Sequence, residues 1–229
     1  MSGGLTSSSI GKKLLMALSG FFLLVFLLQH FTINFLSLIS KDLFNHVSHF
    51  MGTNVLVQFV LQPVLMFGVV FHLLMGMYLD RKNKLARPVR YAMESASQNS
   101  SWISRNMIIT GIMIMLFLAL HFYDFWIPEI RVKYIEGDMS GLHNGEFRYW
   151  YELNHKFHDV YRVIIYCVAF VFLSLHLMHG FQSSFQTAGV RHPRYTSAIK
   201  LIGYIYAIFI PLGFIIIAIY HHIFAAPLF

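Results

Sequence analysis

The sequence predicts an all-α membrane protein with five transmembrane helices, four of them bundled around a buried site. Three observations carry this prediction. The chain is 57% hydrophobic and only 12% charged, with mean hydropathy +0.60, whereas about a quarter of the residues in an ordinary soluble domain are charged. Five apolar runs each exceed the ~20 residues that a helix needs to cross the hydrocarbon. Four of those runs hold a histidine deep inside them: His30, His72, His121 and His176. A soluble globule of 229 residues has no interior able to hide so much apolar surface, so lipid must cover it. The chain reads as one integral-membrane domain over residues 1–229.

The spans follow in order. The first covers about residues 13–38. Lys12 and Lys13 ahead of an apolar run resemble the start of a signal peptide. The run is too long and lacks a small-residue cleavage site, so an uncleaved helix is expected. The second covers 55–79 and contains Pro63. The third covers 102–126, the fourth 160–185, and the fifth 199–222 with Pro211 inside it. Proline is tolerated within membrane helices and is expected to kink the two that carry it. The single cysteine, Cys167, excludes an internal disulfide, a thiolate-held iron–sulfur cluster and a structural zinc site. No phosphate-cradling glycine loop and no low-complexity segment occurs.

Charge sets the expected orientation. With the N-terminus cytoplasmic, the inside holds Lys12, Lys13, Arg81, Lys82, Lys84, Arg87, Arg90, Arg105, Arg191, Arg194 and Lys200, opposed by Asp80 and Glu94. The outside holds Lys41, Arg131, Lys133, Arg148, Lys156 and Arg162 among eight acids that include Asp124, Glu129, Glu146 and Glu152. Eleven basic residues against six satisfy the positive-inside rule. The N-terminus is therefore expected inside and the C-terminus outside.

Depth then pairs the histidines. His30 lies 17 residues past Lys13 and His121 lies 16 past Arg105, which places both about 25 Å from the inner edge at 1.5 Å per residue. His72, 18 past Asn54, and His176, 17 past Asp159, lie about 26 Å from the outer edge. The expected pairs are His30 with His121 at the outer level and His72 with His176 at the inner level. Ionisable side chains are costly in hydrocarbon and commonly functional there. Neutral imidazole is the usual axial ligand of b-type haem, so two pairs at two depths suit two stacked bis-histidine b haems.

Small residues accompany the pairs. Gly76 and Gly180 each follow an inner histidine by four, on the same helix face, where they would clear space for a flat macrocycle. Gly20 and Gly111 each precede an outer histidine by ten, a rise of about 15 Å, and so fall near the inner level. His179, one turn from His176, is the one serious rival ligand; its other role is a hydrogen bond to a haem propionate or a backbone carbonyl. His221, His222, His46, His49, His143, His155 and His158 read as solvated or interfacial polar residues, some of which could line a quinone pocket or a proton route.

Gln29-His30 with Asn34, Phe71-His72 with Gly76-Met77-Tyr78, Leu120-His121 with its aromatic sequel, and Leu175-His176 with Gly180-Phe181 resemble the ligand motifs of one family. It is the diheme cytochrome b membrane anchor of succinate dehydrogenases and quinol:fumarate reductases, in its single-polypeptide five-helix form. The likeness covers nearly the whole chain in helix number, order and ligand placement; each motif is short, and the specificity lies in the set. The resemblance implies a bacterial cytoplasmic membrane protein with a flavoprotein (FAD) subunit and an iron–sulfur subunit docked on its cytoplasmic face. Electrons would pass between that iron–sulfur subunit and a quinone, most simply menaquinone; no nucleic-acid partner is implied. Some fumarate reductases of this type carry a glutamate two residues before the fourth ligand, thought to serve compensating proton transfer. Here that residue is Ser174, so that role does not carry over, and succinate oxidation gains ground as the direction.

Two other readings stand beside this one. A diheme cytochrome b of a hydrogenase or formate dehydrogenase would keep the haems and change the partner. A haem-free proton-coupled transporter could also use buried histidines, but it would ordinarily show buried acids or an inverted repeat with broken helices.

Overall fold

The computed structural model describes residues 8–85, 106–190 and 192–224. Its five long apolar helices are α1 (Ser9–Ile39), α3 (Val57–Leu85), α4 (Met107–Ile135), α6 (Val160–Thr187) and α7 (Pro193–Ile223). Two shorter helices, α2 (Lys41–Thr53) and α5 (Tyr149–His158), and a small hairpin complete it. All five are long and apolar enough to cross a membrane. Trp102, where the sequence places the start of the third span, lies outside the described residues, as do Arg87, Arg90, Glu94, Arg105 and Arg191 of the charge balance.

Four helices form a ring in which α1 touches α3 and α6, and α4 touches α6 and α3. The fifth, α7, packs outside that ring into the groove between α1 and α6. Small residues let it come close: Ala207 and Ala218 are fully buried. Gly203 faces the Phe181 ring, and Gly213 faces the Phe31 ring so closely that a Cβ there would collide with its edge. Van der Waals packing of this kind is the main attraction between helices in lipid, where no hydrophobic force drives them together. The aromatic core of Phe31, Tyr166, Phe170 and Phe214, with Ile210 and Ile217, lies between α1, α6 and α7. By contrast α3 turns Phe67, Val70 and Leu74 outward, a face suited to lipid.

Each proline inside a span has its own setting. Pro63 follows a π-helical turn, Val57–Leu61, and Pro128 follows another, Phe122–Trp126. A proline has no N–H to return to the preceding turn, and a widened turn directly before it takes up the mismatch. Pro211 lies within the continuous α7.

At the end of the bundle away from the N-terminus, the segments between spans fold into structure that the sequence reading leaves as loops. Ser40 caps α2 through its side chain, which accepts from the Leu43 amide at 3.3 Å. Asn45 of α2 donates to the Phe147 carbonyl at 3.1 Å and accepts from the Trp150 amide at 2.8 Å. The strands β1 (Leu142–His143) and β2 (Glu146–Phe147) pair antiparallel across Asn144-Gly145, both at positive φ, as a type I′ turn requires. Lys133 and Arg148, counted from the sequence as outer-loop charges, are buried at 2% and 7% exposure. Lys133 donates to the Gly52 carbonyl and pairs with Glu129, while Arg148 bridges Glu129 and Glu152. These charges tolerate burial because they are paired and hydrogen-bonded, and together they tie α2, α4 and α5 into one layer.

Candidate functional site

Four histidines converge in two places inside the ring. His30 of α1 and His121 of α4 bring their ring centres within 5.7 Å, nearly perpendicular at 85°. His72 of α3 and His176 of α6 lie 6.5 Å apart at 71°. These are the two pairs read from depth along the sequence. Gly20 lies against His72, a Cβ there falling 3.7 Å from its Cε1, and Gly111 stands in the same relation to His176. Ten residues of helix separate each glycine from the upper histidine on its own helix, so the two pairs are about 15 Å apart along the bundle.

The surroundings of the pairs differ. Around His30 and His121 the lining is aromatic: Phe26 stacks on His30 at 5.4 Å, Phe117 on His121 at 5.8 Å, and Phe125, Tyr166 and Phe214 close the shell. The Nδ1 of His121 is buried without a hydrogen-bond partner. Asn34 places its amide nitrogen 3.4 and 3.5 Å from the two ring nitrogens of His30 and donates to the His30 carbonyl at 2.8 Å. Around His72 and His176 the lining is hydroxyl and glycine. Ser19 Oγ is 2.9 Å from His72 Nδ1 and also donates to the Met16 carbonyl at 2.8 Å. Thr110 Oγ1 is 3.1 Å from His176 Nδ1 and donates to the Met107 carbonyl at 2.9 Å. The Met16 and Met107 side chains in turn face Gly76 and Gly180, with methyl groups 3.4 and 3.5 Å from where a Cβ would stand.

A repeat is therefore built into the ring. Met16-Ala-Leu-Ser19-Gly20 and Met107-Ile-Ile-Thr110-Gly111 share one pattern at one offset from His30 and His121, and His72-x-x-x-Gly76 matches His176-x-x-x-Gly180. Helices α1 and α3 form one unit, and α4 and α6 the other. Each pair draws one histidine from each unit. Sequence reading found the histidines and glycines but missed Ser19 and Thr110, although the shared Met-x-x-[Ser/Thr]-Gly spacing marks them.

Other polar groups take places that the sequence reading did not give them. Asp124, assigned by the sequence to the outer-side charge, is only 1% exposed. Its Oδ2 accepts from Tyr166 Oη at 2.9 Å and pairs with Arg162 Nε at 3.2 Å. His221, expected at the interface, is fully enclosed. Its Nε2 lies 2.9 Å from Ser37 Oγ, which itself donates to the Asn34 carbonyl, and its Nδ1 lies 3.4 Å from Asn154 Nδ2. With a partner at each ring nitrogen, His221 is placed to join α1, α5 and α7. His143, His155 and His158 are exposed as expected, and His179 is part-buried one turn beyond His176. In the layer beyond the core, burial and then the Lys133 ammonium hold His49 below the ordinary imidazole range. Burial pushes Tyr149, whose hydroxyl is 3.3 Å from His49 Nδ1, up to about 12. Both shifts favour the uncharged side chain near neutral pH.

The two pairs can be tested against a metal-bearing cofactor. Two imidazoles that clamp one metal ion at about 2 Å each bring their ring centres to about 6 Å, close to both distances found. Among the described residues no group of three or more metal-ligating side chains gathers, so an ion here would take two protein ligands and find the rest in a ligand of its own. A tetrapyrrole supplies four donors in a plane and leaves two axial places. The aromatic shell around His30 and His121 suits the same group. Comparison with protein-family models, curated proteins and solved structures finds no match to this chain.

Proposed function

We propose that the chain is the membrane anchor and electron-transfer subunit of a succinate:quinone oxidoreductase, with a b haem at each histidine pair. The observation that carries this reading is the meeting of four intramembrane imidazoles as two pairs, about 15 Å apart along the bundle, each spaced for two axial ligands of one metal. A haem held by two imidazoles of the chain would supply one-electron transfer rather than oxygen chemistry. The chain's part is to hold and insulate. His30 and His121 would ligate the outer group, and His72 and His176 the inner one. Phe26, Phe117, Phe125 and Phe214 exclude water around the outer pair, while Gly76 and Gly180 leave room beside the inner ligands.

The dicarboxylate site belongs to other subunits on this reading. The basic N-terminal end, with Lys12, Lys13, Arg81, Lys82 and Lys84, is the cytoplasmic face on which a flavoprotein and an iron–sulfur subunit would dock. Menaquinone would react beside the outer pair, near segments 31–49 and 123–158, where neutral His49 and Tyr149 offer groups able to pass a proton.

Haem extracted from the purified chain tests the proposal: two b haems per chain are expected. His72→Ala or His176→Ala should disturb the inner one, and His30→Ala or His121→Ala the outer one. A ratio near one, or none, overturns the two-haem reading. Loss of the inner haem in His179→Ala, with the low-spin spectrum intact in His176→Ala, would move the ligand to His179.

A further inference from the structure

We infer that Ser19 and Thr110 are positioning residues that fix the ring orientation and proton of His72 and His176 and so set the reduction potential of the group those histidines hold. The inference rests on the haem reading above. A neutral imidazole that gives Nε2 to a metal carries its proton on Nδ1, and that N–H needs an acceptor; such outer partners orient ligating histidines and raise their basicity. Each hydroxyl supplies an acceptor, joined at His176 by the Met107 backbone. Ser19 and Thr110 spend their single proton on carbonyls of their own helices, those of Met16 and Met107, a common habit of helical serine and threonine. Their oxygens are then left as acceptors, 2.9 and 3.1 Å from Nδ1 of His72 and His176. The neighbouring glycines, Gly20 and Gly111, allow the helix backbone to approach each imidazole.

Two features argue that this arrangement is a device. It occurs twice at equivalent places in the two-helix repeat, once with serine and once with threonine, so the hydroxyl is what the two sites share. It is also confined to one pair. Among the described residues, His121 Nδ1 has no partner, and His30 faces only the Asn34 amide nitrogen, a donor that cannot accept from an Nδ1–H. The His72–His176 pair therefore differs electronically from its neighbour in a way that the four histidines alone do not reveal. An Nδ1–H engaged by an acceptor makes the imidazole a stronger donor and favours the oxidised metal; removing the acceptor favours the reduced metal.

Redox titration of the purified full chain, followed optically, tests this. Ser19→Ala and the near-isosteric Thr110→Val should each keep two low-spin haems while raising the midpoint potential of the inner haem alone. Ser19→Thr and Thr110→Ser, which restore the hydroxyl, should return that potential to the parent value. If the parent chain carries two haems and both hydroxyl-less variants leave both potentials where they were, the inference is overturned and the haem reading stands. If the parent chain carries no haem, it is the haem reading that fails.

Discussion

Asp124 has its side chain withdrawn completely from the surface in the second half of an apolar helix, three residues after His121. Position in the sequence does not warn of it, because charge counting assigns an acid near a span's end to the water beyond. What settles the matter is Arg162, two residues into α6, whose Nε meets Oδ2 at 3.2 Å, with Tyr166 one turn further along donating to the same oxygen. An ion pair between helices is invisible to a pattern read along one helix at a time. Breaking a fully buried pair by removing one partner costs about 3–5 kcal/mol; Arg162 keeps a quarter of its side chain exposed, so a smaller loss is expected here. Asp124→Asn should thus lower the melting temperature in detergent. The double change Asp124→Asn with Arg162→Gln should cost less than the two single changes added together, because it leaves no unpaired charge. Strict additivity across this cycle would mean that the pair is uncoupled.

At the scale of elements, α7 owes its seat to what its glycines lack. Phe31, the neighbour of His30 in α1, lays its ring edge where a side chain on Gly213 would have to stand. Gly213→Ala is expected to cost about 1–3 kcal/mol by overpacking. Because Phe31 and Phe214 belong to the core beside His30, on the proposed two-haem reading the optical spectrum of the outer haem should move in that variant while the inner one does not. A change confined to the inner haem would contradict this packing. The long helices were legible because an unbroken apolar run of some 20 residues suits little besides a membrane span, and their histidines stood out against apolar neighbours. The shorter elements were not. Helices α2 and α5 are polar along one face and sit in segments whose average composition reads as loop. Their placement depends on contacts such as Asn45 with Trp150 that join residues more than a hundred apart. The hairpin had a local signal, Asn144-Gly145, but it is only two residues long in each strand.

For the molecule as a whole, the two levels of histidines divide the bundle along its axis. On the proposed orientation, electrons from the cytoplasmic subunits that reduce menaquinone beside His30 and His121 cross most of the membrane field. That crossing is worth about 2.3 kcal/mol per charge per 100 mV. Succinate oxidation by menaquinone in intact cells should then be helped by the membrane potential and slowed by an uncoupler. A rate that ignores the uncoupler while the enzyme is limiting, or a quinone bound only at the cytoplasmic end, would place the site elsewhere.

The repeated unit of α1 with α3 and α4 with α6 has a consequence for descent and for construction. Since each unit brings one upper and one lower histidine, a single unit has all the chemistry of the ring and none of its sites. Two identical copies associated side by side would already possess both, with a serine or threonine beside each lower imidazole. A membrane hairpin of two helices that paired with itself is thus a sufficient ancestor, and fusion of its duplicated gene would free the two halves to drift apart. The choice of serine in one half and threonine in the other, and a fifth helix lodged on only one side of the ring, are the kinds of difference such drift leaves behind.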